Sequence, residues 1–161
     1  MPNTTRMLSI DPGEVHVGTA IWYGADCTMV REYSPWDFFA ILENWLKEKK
    51  FDLVVIEEYR LYPWKSAEQG FSQIKTVEVI GIIRFLISRW GEGIPMVEQP
   101  ALIKKPTEGH MRSKGLKYRS VTEKAGGHCK DAESHGQYYL MYGHKAPATA
   151  GTFQGSKGVK I

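Results

Sequence analysis

The sequence predicts an α/β fold in which a mixed five-stranded sheet is flanked by helices. Three short segments of alternating apolar character follow one another near the N-terminus and are separated only by tight turns. Such a run predicts an antiparallel meander. Two further short apolar runs alternate with stretches of helical spacing, which favours strands connected through helices. The predicted order of elements is therefore β-β-β-α-β-α-β-α.

The five predicted strands are short apolar runs bounded by turn residues or by a helical pattern. Gly24-Ala25-Asp26 supplies the turn between the second and third strands. The fourth strand is apolar enough to be central in the sheet. The predicted strands cover residues 7–11, 15–22, 27–33, 51–57 and 95–98.

Three helices are predicted between and after these strands. Ser34-Pro35 provides an N-cap followed by proline at the first helical position, and apolar residues recur at helical spacing as far as Lys50. A long helix is expected over residues 66–90, after Pro63, and a last helix over 129–142. Residues 104–124 are poor in apolar side chains and rich in Gly, Lys and Arg, so they are expected to form a mobile loop.

The 161 residues fit a single domain with one substantial core, over residues 1–144. Residues 145–161 consist mainly of Ala, Gly, Thr, Ser and Lys and are expected to form a disordered basic tail. No apolar stretch approaches a membrane span, and no signal peptide precedes the first strand, so a cytoplasmic location is expected. Cys27 and Cys129 lack a CxxC spacing and are interpreted as free thiols.

Positive charge is concentrated in one segment of the chain. The net charge is only +3, but residues 104–124 hold seven basic and two acidic side chains. A solvated surface would account for such a run, but clustering beside a candidate metal site favours binding to phosphate. The basic side chains are Lys104, Lys105, Arg112, Lys114, Lys117, Arg119 and Lys124.

Two apolar strands end on carboxylates. Asp11 follows residues 7–10 and precedes Pro12-Gly13, and Glu57 follows residues 53–56. Burying an unpaired carboxylate costs several kcal/mol, so each requires a cation, a donor or water. His128 and Asp131 are three residues apart and share one face of a helix. The four side chains together suit Mg²⁺ or Mn²⁺, with two ions able to act on one phosphodiester.

Each of these residues also has a plainer interpretation. Asp11-Pro12-Gly13 alone would make a good β-turn, and Glu57 alone would make a strand-end ion pair. Glu58 is an alternative to Glu57, because side chains alternate along a strand and only one can face the site. A single histidine such as His128 is often structural. It is the combination that indicates a metal centre.

The sequence resembles the RuvC-type Holliday junction resolvases of the ribonuclease-H-like superfamily. The resemblance spans roughly residues 7–142. It implies a metal-dependent homodimeric endonuclease that cuts four-way DNA junctions, with Asp11, Glu57, His128 and Asp131 at its metal positions and catalytic. Lys104 or Lys105 falls near a position that contacts the scissile phosphate region. The resemblance rests on Ser9-Ile10-Asp11-Pro12-Gly13, Val55-Ile56-Glu57-Glu58, Glu98-Gln99-Pro100 with Lys104-Lys105, and His128-Cys129-Lys130-Asp131-Ala132.

The chain departs from the family pattern after Asp131-Ala132, where small apolar residues are usual. Glu133, Ser134 and His135 follow instead, which makes Glu133 and His135 candidates for supporting the metal ligands. The family places an aromatic wedge after the second carboxylate, and Tyr59, Tyr62 and Trp64 are the candidates here. The short chain resembles the phage branch, which would place it in the host cytoplasm.

The resemblance also implies a homodimer through the long helix of residues 66–90. Its apolar stripe includes Gly81, which would permit close approach of a second copy, although such stripes are more often core. The stripe consists of Phe71, Ile74, Val77, Gly81 and Phe85.

Other functions compete with junction cleavage. Another ribonuclease-H-like nuclease or a transposase would share the metal site. A non-catalytic junction-binding protein would gain nothing from carboxylates that repel DNA. An actin-like phosphotransferase is disfavoured because no GxGxxG or GxxxxGK[ST] motif is present.

Overall fold

A computed structural model describes residues 4–59 and 71–143 of the chain, with only the backbone for residues 71–74. The predicted tail at 145–161, the aromatic candidates Tyr62 and Trp64, and residues 66–70 of the predicted long helix lie outside the described residues.

The predicted mixed sheet is confirmed. Its five strands lie in the order β3-β2-β1-β4-β5. β1, β2 and β3 pair antiparallel, whereas β4 pairs parallel with both β1 and β5. The strands are β1 (Arg6–Asp11), β2 (Val17–Tyr23), β3 (Asp26–Tyr33), β4 (Leu53–Glu57) and β5 (Met96–Gln99). The helices are α1 (Pro35–Lys47), α2 (Phe71–Trp90), α3 (Lys104–Ser113), α4 (Arg119–Thr122) and α5 (Gly127–Tyr142), with a 3₁₀ turn at Ala101–Ile103.

The two faces of the sheet are covered by different helices. Leu8, Ile10 and Ile56 point into a core shared with α1 and α2. Met7 and Val55, on the alternate positions, point into a second core shared with α5. Alternation along β1 and β4 therefore directs Asp11 and Glu57 to the α5 side. No helix among the described residues combines the length and hydropathy of a membrane span.

α5 lies unusually close to β2. A Cβ atom on Gly18 would lie 2.0 Å from the carbonyl oxygen of His128, and one on Gly136 would lie 2.4 Å from the indole of Trp22. Both approaches are too short for any side chain. The Trp22 indole N–H donates to the buried Ser9 hydroxyl at 2.9 Å, so the polar atoms in this contact are paired. The small residues thus set the distance between α5 and the sheet.

The expectation of a mobile loop over residues 104–124 is wrong. The segment forms α3 and α4, joined by a short turn. Ile103, Thr107 and Met111 recur every four residues and are buried against the rest of the domain, and the Thr107 hydroxyl donates to the carbonyl of Ile103 at 2.7 Å. Tyr118 and Ser120 are the other buried side chains of the segment, so few side chains carry the packing and the low apolar content concealed both helices.

Several element boundaries also differ from prediction. β2 begins at Val17 rather than residue 15, because the loop after Asp11 extends through His16. α1 ends at Lys47, and Lys49 adopts a left-handed backbone with φ of 53°. α5 begins at Gly127 rather than residue 129. The last difference places His128 inside the first turn of the helix.

Candidate active site

Three polar side chains lie next to one another where β1, β4 and β5 end. Ile10 is paired with Ile56 in the parallel register, which sets Asp11 beside Glu57, and Glu57 is paired with Gln99. Parallel strands bring their carboxyl ends to one edge, so the grouping follows from topology. Glu57, and not Glu58, has its side chain directed to this group, with its Oε2 within 3.0 Å of α5.

α5 supplies three further side chains from one face. His128, Asp131 and His135 are spaced at three and four residues, so they lie along a single stripe. The ring Nδ1 of His128 lies 2.7 Å from Oδ2 of Asp11. The ring Nε2 of His135 lies 3.0 Å from Oε2 of Glu57. The helix therefore closes over both strand-ending carboxylates.

The start of α5 is fixed by β3. Glu32 accepts a hydrogen bond from the backbone N–H of His128 at 3.1 Å, and a Cβ atom on Gly126 would collide with the same carboxylate. A carboxylate at a helix N-terminus satisfies a free N–H and interacts favourably with the helix dipole. Glu32 thus orients the turn that carries His128.

His135 links Glu57 to Gln99. Its Nδ1 lies 3.0 Å from Oε1 of Gln99, and both side chains are buried. The amide nitrogen of Gln99 is buried with no hydrogen-bond partner in the described part of the chain. Asp11, Glu57 and His135 each offer a ligand atom, and these atoms lie within 4.8 Å of one another. Two carboxylates and an imidazole so close together form a donor set suited to a divalent cation.

Lys104 enters this group from the first residue of α3. Its Nζ lies 2.6 Å from Glu57, 2.9 Å from Asp131 and 3.4 Å from Asp11. Three carboxylates therefore converge on one cation. They line a cleft of about 370 Å³ together with Lys104 and His128.

Burial and charge act differently on the ionisable groups. Burial raises the pKa of Asp11 to about 6, against the opposing hydrogen bond with His128. Burial would also raise the pKa of Glu57, but the hydrogen bond with His135 and the charge of Lys104 outweigh it and hold that pKa below its usual range. The hydrogen bond with Asp11 raises the pKa of His128.

The pKa of Lys104 is raised as well. Desolvation opposes the charged ammonium, but the attraction of Asp11 and Glu57 is larger. Lys104 therefore stays a cation within the carboxylate cluster.

The four predicted metal residues, Asp11, Glu57, His128 and Asp131, lie together with Lys104 around one cleft. His135 joins them through Glu57. Glu133 lies on a different side of α5, where its carboxylate accepts hydrogen bonds from the backbone N–H groups of Arg119 and Ser120 at 2.6 and 2.9 Å. It caps α4 and does not touch the carboxylate cluster.

The remaining predicted DNA-binding cations lie outside the cluster. Arg119 is engaged with Glu123 at 2.6 Å and with the carbonyl of Cys27. Tyr59 is half-buried just after β4. Arg119 is nevertheless exposed, as are Lys105, Arg112, Lys114, Lys117 and Lys124.

The sequence assigned no role to Gln99 or Glu32, although both contact residues of α5 at this site. Gln99 belongs to the Glu98-Gln99-Pro100 motif but received no role. Strand alternation, applied to β5 as it was to β4, would have placed it beside Glu57. Glu32 carried no sequence signal, since its contact with α5 joins residues 96 positions apart.

The strand order, the flanking helices and the polar carboxyl edge define a ribonuclease-H-like fold. It is the fold of RuvC. One similar structure is Thermus thermophilus RuvC in complex with a Holliday junction substrate, with a TM-score of 0.61 at 16% identity, covering 87% of this chain and 97% of that one. Another structure of Thermus thermophilus RuvC gives 0.60 at 16% identity, with coverages of 86% and 95%.

A third similar structure is the yeast mitochondrial Holliday junction resolvase Ydc2, with a TM-score of 0.44 at 14% identity, covering 88% of this chain and 78% of that one. No protein-family model matches the sequence, and no curated protein matches it.

Proposed function

We propose that this chain is a structure-selective DNA endonuclease that resolves four-way or other branched junctions by metal-dependent phosphodiester hydrolysis. The observation that carries the proposal is the convergence of Asp11, Glu57 and Asp131 on one point. The nuclease domain would span residues 1–144, acting in the cytoplasm, or in the host cytoplasm if the protein is phage-encoded.

The residues present fit a divalent metal. The Lys104 ammonium already pairs with all three carboxylates, which shows that they converge on a point where a cation can lie. Carboxylates are hard oxygen donors, the ligands that suit Mg²⁺ or Mn²⁺. Asp11, Glu57 and Asp131 would hold the metal, with His128 as a nitrogen donor beside them, while both ring nitrogens of His135 are engaged by Glu57 and Gln99. Two bound ions would activate a water and neutralise charge on the phosphate.

The chain's own groups supply positioning and proton transfer. His128 is held by Asp11 through Nδ1, which leaves Nε2 either to bind the metal or, where it is not a ligand, to exchange a proton with water in the cleft. Lys104 retains its charge and can pair with a phosphate oxygen once it leaves a carboxylate. His135 keeps the Glu57 carboxylate in its orientation.

The exposed cations of α3 and the following turn supply a surface for the DNA backbone. Lys105, Arg112, Lys114 and Lys117 all project into solvent from this segment, which continues from Lys104. Phosphate contacts add affinity without sequence information. Replacing Lys105 with Ala should lower affinity for all duplex arms alike and reduce the salt dependence by about one unit of slope.

The homodimer is proposed on the exposed side of α2. Val77 is 42% exposed and Phe85 62% exposed, and a Cβ atom on Gly81 would meet nothing within 4 Å. The opposite side of the helix is buried in the core. A second copy would cover the exposed stripe. Phe85→Glu should convert a dimer to a monomer in sedimentation, whereas Tyr23→Glu, at an exposed aromatic on β2, should not.

The experiment that tests the function is a cleavage panel. A four-way junction, a fork, a flap, a linear duplex and an RNA–DNA hybrid are each incubated with Mg²⁺ and with Mn²⁺. Symmetric nicks confined to the junction are expected, and Asp11→Asn should abolish them. Undiminished cleavage by Asp11→Asn would refute the assigned site. Preferential cleavage of the hybrid or the duplex would instead indicate another ribonuclease-H-like nuclease, and tight binding without nicking a junction-binding protein.

A further inference from the structure

A second cleft lies beside the carboxylate cluster, between α3, α4 and α5. Its volume is about 240 Å³, below the range of roughly 300–1,000 Å³ typical of pockets for drug-sized ligands. The cleft is therefore suited to one small group rather than to an extended molecule.

The cleft has an apolar wall that is already in place. Leu116 is 54% exposed and Val121 is 51% exposed, and both line the cleft with the buried Tyr118 and Met111. The Tyr118 hydroxyl accepts a hydrogen bond from Ser134 at 3.1 Å, which fixes the ring against α5. Two half-exposed aliphatic side chains over a rigid floor offer a surface on which a flat apolar ring can stack.

The rim of the cleft is cationic. Arg112, Lys117 and Lys130 line it, with Glu108 as the single acidic group. Glu108 pairs with Lys130 at 2.7 Å and with Arg112 at 3.6 Å, which holds both cations at the edge. A net positive rim around an apolar wall matches a ligand that carries a ring and an anion together.

α3 connects the carboxylate cluster to the cleft, because its first residue touches the cluster and its later residues line the cleft. Lys104, Glu108 and Arg112 follow at intervals of four residues and so share one face of the helix, with the first touching Asp131 and the second touching Lys130 on α5. Eight residues of helix span about 12 Å. That length corresponds to roughly three or four nucleotides of a stacked strand.

We propose that this cleft binds the base of an unpaired nucleotide about three positions from the scissile phosphate, with the base on Leu116 and Val121 and its phosphate at Arg112 and Lys117. The inference rests on the proposed nuclease function. Stacking is interrupted at the centre of a branched junction, so a base there can be unpaired and flipped out at a lower cost than a base within a linear duplex. The cleft would thereby contribute to selection of branched DNA.

The test uses four-way junctions that carry a single abasic site at each of positions one to five on either side of the cut. Wild-type protein should cleave all of them. Its cleavage rate should fall roughly tenfold below that on the intact junction when the abasic site lies at one particular position or at two adjacent ones. Leu116→Ala should cleave the intact junction more slowly than the wild type does, by a similar factor. On the junction whose abasic site slows the wild type, Leu116→Ala should cause no further loss of cleavage rate. Binding by the Asp11→Asn variant, which leaves the DNA uncut, is measured in parallel.

Tyr23→Ala is the control, because it removes an exposed aromatic side chain on β2 that does not line the cleft. It should behave as wild type on every substrate. Val121→Ala serves as a second variant, and thermal unfolding establishes that both cleft variants are folded. Equal cleavage at all abasic positions, or an equal effect of Leu116→Ala on intact and abasic junctions, would overturn the cleft assignment alone. Failure of the wild type to cleave any junction would overturn the nuclease proposal.

Discussion

The imidazole Nε2 of His135 lies 3.0 Å from Oε2 of Glu57, and the ring is fully buried. On its other side the same ring meets Gln99 at 3.0 Å. Glu57 is therefore oriented from β5 through α5, by a contact that spans 78 residues of sequence. Partners of this kind set the direction in which a metal-binding carboxylate points.

Replacing His135 with Ala should impair metal binding more than folding. Glu57 loses the donor that orients it, and Gln99 loses its hydrogen-bond partner. Loss of such a partner typically costs about 10–100-fold in metal affinity. Calorimetric titration of the protein with Mn²⁺ measures the change directly.

His110→Ala is the matched control for His135, because His110 lies on α3 and is not part of the carboxylate cluster. It should bind Mn²⁺ as the wild type does. If His135→Ala also binds Mn²⁺ with unchanged affinity, His135 does not support the metal site.

Lys104→Ala should destabilise the protein in the absence of divalent ions. Three carboxylates would then face one another without the ammonium that now lies 2.6–3.4 Å from each. Because the cleft is partly open to water, the loss should reach up to about 3 kcal/mol in the free energy of unfolding. Urea unfolding in EDTA measures it.

Mg²⁺ should restore more stability to Lys104→Ala than to the wild type, since a metal replaces the missing positive charge. Lys105→Ala, at the next and exposed position, should change the free energy of unfolding by less than about 0.5 kcal/mol. Equal stabilisation of both proteins by Mg²⁺ would argue against a cation-dependent cluster.

Asp11→Asn should raise the thermal stability of the metal-free protein at neutral pH. Burial raises the pKa of Asp11 to about 6, so the protonated form is favoured in the folded state. The stability that protonation of Asp11 contributes to the folded state is complete below the unfolded pKa near 4 and is lost as the pH rises through 6. The variant should therefore melt about 2 °C or more above the wild type at pH 7, with the gap closing below pH 4.

Asp52→Asn is the control of opposite sign for this pH series. The hydrogen bond from Arg6 lowers the pKa of Asp52, so its contribution is present above the unfolded pKa and is lost as the pH falls through the folded value. Asp52→Asn should be less stable than the wild type at pH 7 and converge with it in acid. A melting series from pH 3 to 8 in EDTA distinguishes the two patterns, and a wild type that melts above Asp11→Asn at pH 7 would contradict the first.

Gly136→Ala should destabilise the fold by about 1–3 kcal/mol, because the added methyl would lie 2.4 Å from the Trp22 indole and force α5 away from β2. Gly109→Ala, on α3, is the matched control with the opposite expected sign. A Cβ there meets nothing within 4 Å, and Ala is a better helix former than Gly, so the free energy of unfolding should rise by about 0.5–1 kcal/mol. Denaturant unfolding of both variants shows whether the α5–β2 distance is fixed by the glycine.

The meander, the N-cap of α1 and the two carboxylate-ending strands are local features, and the sequence alone predicted them. Strand patterns, a Ser-Pro cap and runs of four apolar residues depend on near neighbours. The helices of residues 104–124 were missed for the same reason. The burial of α3 rests on Ile103, Thr107 and Met111, and that of α4 on Tyr118 and Ser120. So few buried positions are weak evidence until the surface that receives them is known.

Only the tertiary structure decided that Glu57 rather than Glu58 faces the site. It also decided that His135 contacts Glu57 whereas Glu133 caps α4. Residue types and spacing placed Asp11, Glu57, His128 and Asp131 in one candidate set, because those features belong to the chain itself. Which carboxylate faces inward, which histidine reaches it and where Lys104 lies depend on the parallel register of β1 with β4 and on the approach of α5 to the sheet. Contacts between residues 78 to 117 positions apart, such as His135 with Glu57 and His128 with Asp11, form only when the elements pack, and no local pattern encodes them.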